Sequence, residues 1–503
     1  MGCRLESGSP SPTPRDHPAL SSVPRDVRIA ALASPLLQPD SHANGLPSDL
    51  ARFASPHAVD PGLQVFLHRA ADLLCDWIGS ASSGQPLPTV WAQPEASPDP
   101  VGADIDRLLS DLQSLMDGAF QPAHPGSLAH LDPPPLTASI AGDLIAAGLN
   151  NNLLAEELSP SLTLLEQQLV RWFCERFACP EGSGGVLTSG GTLSNLMALV
   201  LARDKMPAEQ RAGAILCSED AHVSLAKAIR VMGLDPSALV QIPVDANGSM
   251  CLDQVEDVMR SQDRQGQSVF CVVATAGTTV RGAVDPIPQL SSLCRRFGSW
   301  LHVDAAIGGV FALAEATANL IPGLGLADSI TVNPQKLLGI AKASSLLLVR
   351  EGRRLHDSFA TGLPYMDEAS TGFHGGEIGL QGTRPAEVLK LWLGLRQLGL
   401  DGIAETVTSA LERANRFRQR LDQNRLHCQS GRLHLVAFHP LSSVSLDSSA
   451  WTLSLRQSLM REGFMLSRPL YAGRHHLKSV WGNPHTTDAH IDRLATCING
   501  FLP

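Results

Sequence analysis

The stretches SVFCVVAT (268–275), WLHVDAAIGG (300–309) and DSITVNPQKLLGI (328–340) decide the fold. Each holds a short run that is apolar nearly throughout, and each run ends in small or polar residues. A strand reads this way when both faces of its sheet are buried. Similar runs lie at 214–217 (AILC), 239–243 (LVQIP) and 345–350 (SLLLVR). Helical stretches fall between most of them, at 193–204, 222–232, 252–260 and 287–297. This alternation predicts an α/β fold, with a mostly parallel sheet covered by helices on both faces.

Outward from this centre, LTLLEQQLVRWFCERF (162–177) spaces Leu162, Leu165, Leu169, Trp172, Phe173 and Phe177 along one helical face, with Ser161 as the expected N-cap. Residues 388–422 read as a long helical connection, and 432–503 as a smaller α+β unit. Upstream, VFLHRAADLLCDWI and ADIDRLLSDLQSLM are helical stretches, and HPGSLAHLDPPPL (124–136) is a turn-rich loop whose prolines exclude regular helix. Residues 1–50 are rich in Pro and Ser and read as a flexible tail. The expected organisation is therefore a tail (1–50), an N-terminal helical segment with a loop (51–140), a large domain (141–390) and a small C-terminal domain (391–503).

Hydrophobic residues make up 44% of the 503 residues and charged residues 17%, the balance of a globular protein. A net charge of −10 disfavours nucleic acid or an anionic membrane as main partner. No apolar run is long enough to span a bilayer. The ten cysteines form no CxxC pair and no zinc spacing, so no metal site is expected, and they read as reduced thiols of a cytoplasmic protein.

Ligands of open α/β sheets sit beyond the strand ends and at helix N-termini, and several polar features fall there. LTSGGTLSNLMAL (187–199) runs a Ser-Gly-Gly-Thr turn into a helix, which suits an anion, although an ordinary capped helix looks similar. Asp304 ends an apolar strand, where a carboxylate can face a protonated ring nitrogen or cap the next helix. Lys336 lies just past a strand in apolar surroundings, where desolvation lowers a lysine's pKa and permits Schiff-base chemistry. His222, in SEDAHVSLAKAIRVMGL (218–234), can stack on a flat cofactor or serve a helix start. ATAGTTVRGAVDPI (274–287) is a strand ending in Gly277, Thr278 and Thr279. Together these five features supply what a pyridoxal phosphate enzyme needs: an anion cup, a stacking residue, a carboxylate for the ring nitrogen and a lysine for the aldehyde.

In the order TSGGTLSN, SEDAHVS, ATAGTT, HVDAA (302–306) and NPQKLLG (333–339), the chain resembles the group II pyridoxal-phosphate-dependent amino-acid decarboxylases of fold type I, over roughly residues 56–503. The resemblance implies that Lys336 carries pyridoxal 5'-phosphate as an imine, Asp304 pairs with its ring nitrogen and His222 stacks on its face. Gly191, Thr192, Thr279, Ala306 and Asn333 then contact the cofactor. His130 stands where the family selects side chains, and Lys478, in GRHHLKSVWGNPHTT (473–487), stands where the family usually has a carboxylate-binding Arg. Gln335 replaces the usual His before the lysine. Tyr365, one of only two tyrosines, is the candidate loop proton donor. The implied protein is a homodimer that decarboxylates a small aliphatic acidic or diamino acid, such as 2,4-diaminobutyrate, glutamate or aspartate. Two alternatives stay open, another fold-type I lyase of aldolase-like chemistry and a cofactor-binding protein without catalysis.

Overall fold

In the computed structural model the described residues are 50–91, 93–363, 369, 374–441 and 447–502. The tail up to residue 49 and Tyr365 lie outside them.

Seven strands form the central sheet: β1 (Gly184–Thr188), β2 (Ala214–Ser218), β3 (Leu239–Ile242), β4 (Val269–Thr275), β5 (Trp300–Ala305), β6 (Ser329–Val332) and β7 (Ser345–Val349). Their order is β1-β7-β6-β5-β4-β2-β3. The pairings from β6 to β3 are parallel, and β7 runs antiparallel to both its neighbours. The sheet is thus mostly parallel but mixed, as expected. Side chains alternate between two buried layers, with Val272, Ala274 and Val303 in one core and Cys271, Val273 and Trp300 in the other. That two-sided burial is why the strands read as continuous apolar runs, each fully buried Val or Leu contributing roughly 1.5–3 kcal/mol.

β1 was not legible as a strand. Its GGVLT sequence has two glycines in place of β-branched residues, and a Cβ on Gly185 would meet the Leu347 carbonyl oxygen at 2.4 Å. The helix expected at 162–177 runs Pro160–Arg176, with Ser159 rather than Ser161 at its N-cap. Pro160 supplies the reason: lacking an N–H and fixed in φ, it is suited to the first helical position. The long connection spans Val388–Arg420 but is broken at Gly399, whose φ of 61° is non-helical.

Toward the C-terminus, β8 (Leu426–Gln429), β9 (Leu435–Pro440) and the last strand, β12 (Leu477–Val480), form an antiparallel sheet in the order β12-β9-β8. It packs with helices Ser448–Arg461 and Asp488–Gly500 on a core that includes Phe417, Phe438, Trp451 and Trp481. A small hairpin of β10 (Leu470–Tyr471) and β11 (Arg474–His475) precedes the last strand.

Candidate active site

Register assembles the site. Parallel pairing sets Thr275 of β4 beside Asp304 of β5, and Asp304 beside Thr331 of β6. The chain leaving β6 turns through Asn333 into a short 3₁₀ segment, Pro334–Lys336. Beyond these strand ends lies a cavity of about 470 Å³. Its lining includes Gly191, Thr192, His222, Thr279, Asp304, Asn333 and Lys336, drawn from five separate stretches of the chain. His130, Ala306 and Lys478 do not line it. A second cavity, of about 570 Å³ beside Glu166 and Arg384, holds none of the residues singled out from the sequence.

The anion cup forms where β1 turns into helix Gly191–Asp204. Gly190 has φ 141°, which a side chain rarely tolerates. The first N–H groups of the helix have no partner within it. A Cβ on Gly191 would stand 3.0 Å from Asn333 Nδ2, so the loops of β1 and β6 meet there. Asn333 is held in turn by the Ser345 hydroxyl, which donates to its Oδ1 at 2.6 Å. Ser345 also lies 2.9 Å from the Ser194 hydroxyl, itself 2.6 Å from Thr188 Oγ1.

Asp304 is buried. Its Oδ2 accepts from Asn195 Nδ2 at 2.8 Å and its Oδ1 from the Ala306 N–H at 3.2 Å. Ala306 is thus a backbone donor to the carboxylate. Burial lowers the Lys336 pKa, opposed by the Asp304 and Asp132 carboxylates. Burial also lowers that of His222, while Asp304 opposes the shift and the Lys336 ammonium adds to it. His222 Nδ1 accepts from the Ser224 N–H at 3.2 Å, so a neutral ring carries its proton on Nε2.

Lys478 is buried on β12, and its Nζ donates to the Thr279 carbonyl at 3.4 Å. Burial pushes its pKa down to about 8, with Lys336 adding to the fall and Asp132 opposing it. His130 is exposed, its pKa lowered by partial burial and then by the Lys478 ammonium. Lys478, Lys336, Asp132 and His130 therefore share one electrostatic neighbourhood. The Gln335 side-chain carbonyl accepts from the Ser344 N–H.

Three features escaped the sequence reading. Thr275 Oγ1 is buried in the cavity wall without a partner among the described residues. Asn195 grips Asp304 from 109 residues away. Tyr471, on the C-terminal hairpin, donates its hydroxyl at 2.7 Å to Asp220, which lines the cavity. Thr275 and Asn195 stood inside quoted motifs, but only the fold shows what they face. Among the described residues no group of three His, Cys, Asp or Glu side chains is arranged to hold a metal ion.

Residues 91–439 match the family model for the pyridoxal-dependent decarboxylase conserved domain. The chain is 32% identical over 330 residues to an L-2,4-diaminobutyrate decarboxylase of Acinetobacter baumannii, covering 60% of this chain and 64% of the relative. It is 29% identical over 408 residues to one from Rhizobium meliloti, covering 79% and 82%. The alignment thus spans less than two thirds of the A. baumannii protein. The crystal structure of Oryza sativa TDC with PLP and tryptamine matches with a TM-score of 0.82 and 25% identity, over 90% of this chain and all of the other. The cavity fits that cofactor, with an orphan hydroxyl on Thr275, a helix N-terminus for a phosphate, a buried carboxylate at one strand end and a half-buried amine beyond the next. The expected fold type and cofactor class agree with these findings, and the chain belongs to the pyridoxal-dependent decarboxylase family.

Proposed function

We propose that the chain is a pyridoxal-phosphate-dependent L-amino-acid α-decarboxylase acting on a small aliphatic acidic or diamino acid, with 2,4-diaminobutyrate foremost. The observation that carries this reading is one cavity holding Asp304, a buried anion site gripped only by donors, and Lys336, an amine whose proton is loosened by burial. The names of the relatives support the substrate class.

Bound pyridoxal phosphate would supply a carbonyl for the substrate amine and a ring that accepts the electron pair released when the Cα–carboxylate bond breaks. Lys336 would hold that carbonyl between turnovers, since a desolvated lysine loses its proton readily enough to act as a nucleophile. Asp304 would keep the proton on the ring nitrogen, its carboxylate fixed in place by donors to both oxygens. Gly191 and Thr192 would take the phosphate, His222 would cover the ring face, and Thr275, Thr279 and Asn333 would complete the cradle.

Lys478, mostly protonated at neutral pH, would bind a substrate carboxylate as a point charge. His130 stands beside it toward solvent and would meet the substrate side chain. Gln335 has no titratable proton, so proton return to Cα falls to another donor, for which Tyr365 remains the proposed residue. Helical apolar side chains such as Leu144, Ile145, Leu149 and Leu164 are exposed, which supports a homodimer; a cytoplasmic location is proposed from the scattered cysteines alone.

The test is CO₂ release from a panel of L-amino acids with added pyridoxal phosphate. Release from a diamino or acidic substrate, abolished in Lys336→Ala, is expected. A carbonyl product without CO₂, or no turnover despite cofactor binding, would overturn the reading in favour of a different lyase or a non-catalytic binder.

A further inference from the structure

We infer that His302 is a positioning residue for Asp304, acting through Asn195 at the end of a directed hydrogen-bond relay that starts at Trp300. The inference rests on Asp304 being the partner of the cofactor ring nitrogen.

The relay can be read atom by atom. Asn195 Nδ2 lies 2.8 Å from Asp304 Oδ2 and 2.9 Å from Ser224 Oγ. Ionised, the carboxylate only accepts, so the amide nitrogen must face it and Asn195 Oδ1 must face the other way. There it lies 3.1 Å from His302 Nε2. An amide oxygen only accepts, so His302 carries its proton on Nε2. The ring is completely buried, and burial holds its pKa at about 4, against a smaller opposing pull from Asp304. It is therefore neutral, and its Nδ1 is a bare acceptor. Ser329 Oγ lies 2.9 Å from that Nδ1 and receives the Trp300 indole N–H at 2.8 Å. An indole nitrogen only donates, which leaves the serine hydroxyl hydrogen free for His302.

Thr331 Oγ1 also lies near His302 Nε2, at a longer 3.5 Å, where it can only share the hydrogen given to Asn195; the hydrogens of the relay then run from Trp300 to Ser329 to His302 to Asn195 to Asp304. These side chains come from helix Gly191–Asp204 and from two adjacent strands, β5 and β6, and all are buried. Reversing one member would turn the Asn195 oxygen toward the Asp304 carboxylate, two acceptors face to face in a dry site. Trp300, His302 and Ser329 are buried behind the cavity wall and are not part of its lining. Their effect passes through the orientation of the aspartate.

The test uses the full chain, first freed of cofactor and then titrated with pyridoxal phosphate, and reads affinity by absorbance and the pH titration of the bound cofactor's visible band. His302→Phe is expected to weaken cofactor binding by about ten-fold, the change for a buried acceptor that loses its donor, and to displace the band's titration. His302→Gln, which keeps an N–H, is expected to recover most of both. Should His302→Phe fail to fold, Ser329→Ala alters little volume and is expected to move the same titration in the same direction. Wild-type affinity and an unmoved titration in His302→Phe, or in Ser329→Ala where that substitutes for it, would overturn the relay. Asp304→Ala is the control: if it too leaves the titration unmoved, the reading of Asp304 itself fails, and otherwise only the relay does.

Discussion

Exchanging Lys478 for methionine is expected to cripple substrate capture while making the protein more stable near neutral pH. The ammonium is buried on β12, and its hydrogen bond to the Thr279 carbonyl is long, at 3.4 Å. Its pKa falls from the ordinary 10.5 to about 8, chiefly through burial. At about 1.4 kcal/mol per pH unit, that difference amounts to about 3 kcal/mol by which burial disfavours the charged side chain. The sign follows from proton counts. The folded pKa lies below the unfolded one, so the folded state binds fewer protons between about pH 8 and 10.5, and wild-type stability rises through that window. Below pH 8 the penalty is complete, and above 10.5 it is gone. Methionine fills a similar volume without charge, so Lys478→Met is expected to gain up to about 3 kcal/mol at pH 7 and to lose that advantage by pH 10.5. Denaturant unfolding of cofactor-free protein across this pH range reads the effect. In the same variant kcat/KM is expected to fall roughly ten- to a hundred-fold, the loss of one charge-assisted hydrogen bond. A variant less stable than wild type at pH 7, or an advantage that does not shrink between pH 8 and 10.5, would refute the reasoning.

Arg384 donates from Nη1 to both Glu166 oxygens, at 2.9 and 3.1 Å, in a buried pair. Arg384→Met strands that carboxylate and is expected to cost about 3–5 kcal/mol in denaturant unfolding. Tyr471→Phe removes the 2.7 Å bond between the C-terminal hairpin and Asp220, and is expected to lower unfolding free energy by about 1 kcal/mol and raise KM. His222→Phe keeps a flat ring and is expected to hold the cofactor within a few-fold of wild type, where His222→Ala loses it, as fluorescence titration would show. Asp304→Asn cannot hold the ring proton electrostatically, and kcat is expected to drop by roughly a hundred-fold or more.

What the sequence disclosed follows from what burial does to it. The two-sided sheet left unbroken apolar runs such as FCVVAT, and the strand ends carried polar residues that stood out against them. Lys336, Asp304, His222 and Thr192 were visible in this way, Gly191, Thr279 and Asn333 as cofactor contacts only through the family resemblance, and the fold sets all seven around one cavity. β1 was hidden because close approach to β7 favours glycine, which erases β propensity. The break at Gly399 was hidden because one glycine in a helical pattern carries no sign of its φ. Asn195, His302 and Ser329 were invisible as a set, since each looks like an ordinary polar residue until 107 residues of chain bring His302 against Asn195. The Tyr471–Asp220 contact crosses 251 residues and has no local signature.

Borohydride reduction of the cofactor-loaded protein, followed by peptide mapping, tests the centre of the account most directly. A pyridoxyl group fixed on Lys336, in the peptide around NPQKLLG, is the predicted result. An unmodified Lys336, or the group on Lys478 or another lysine instead, would contradict it.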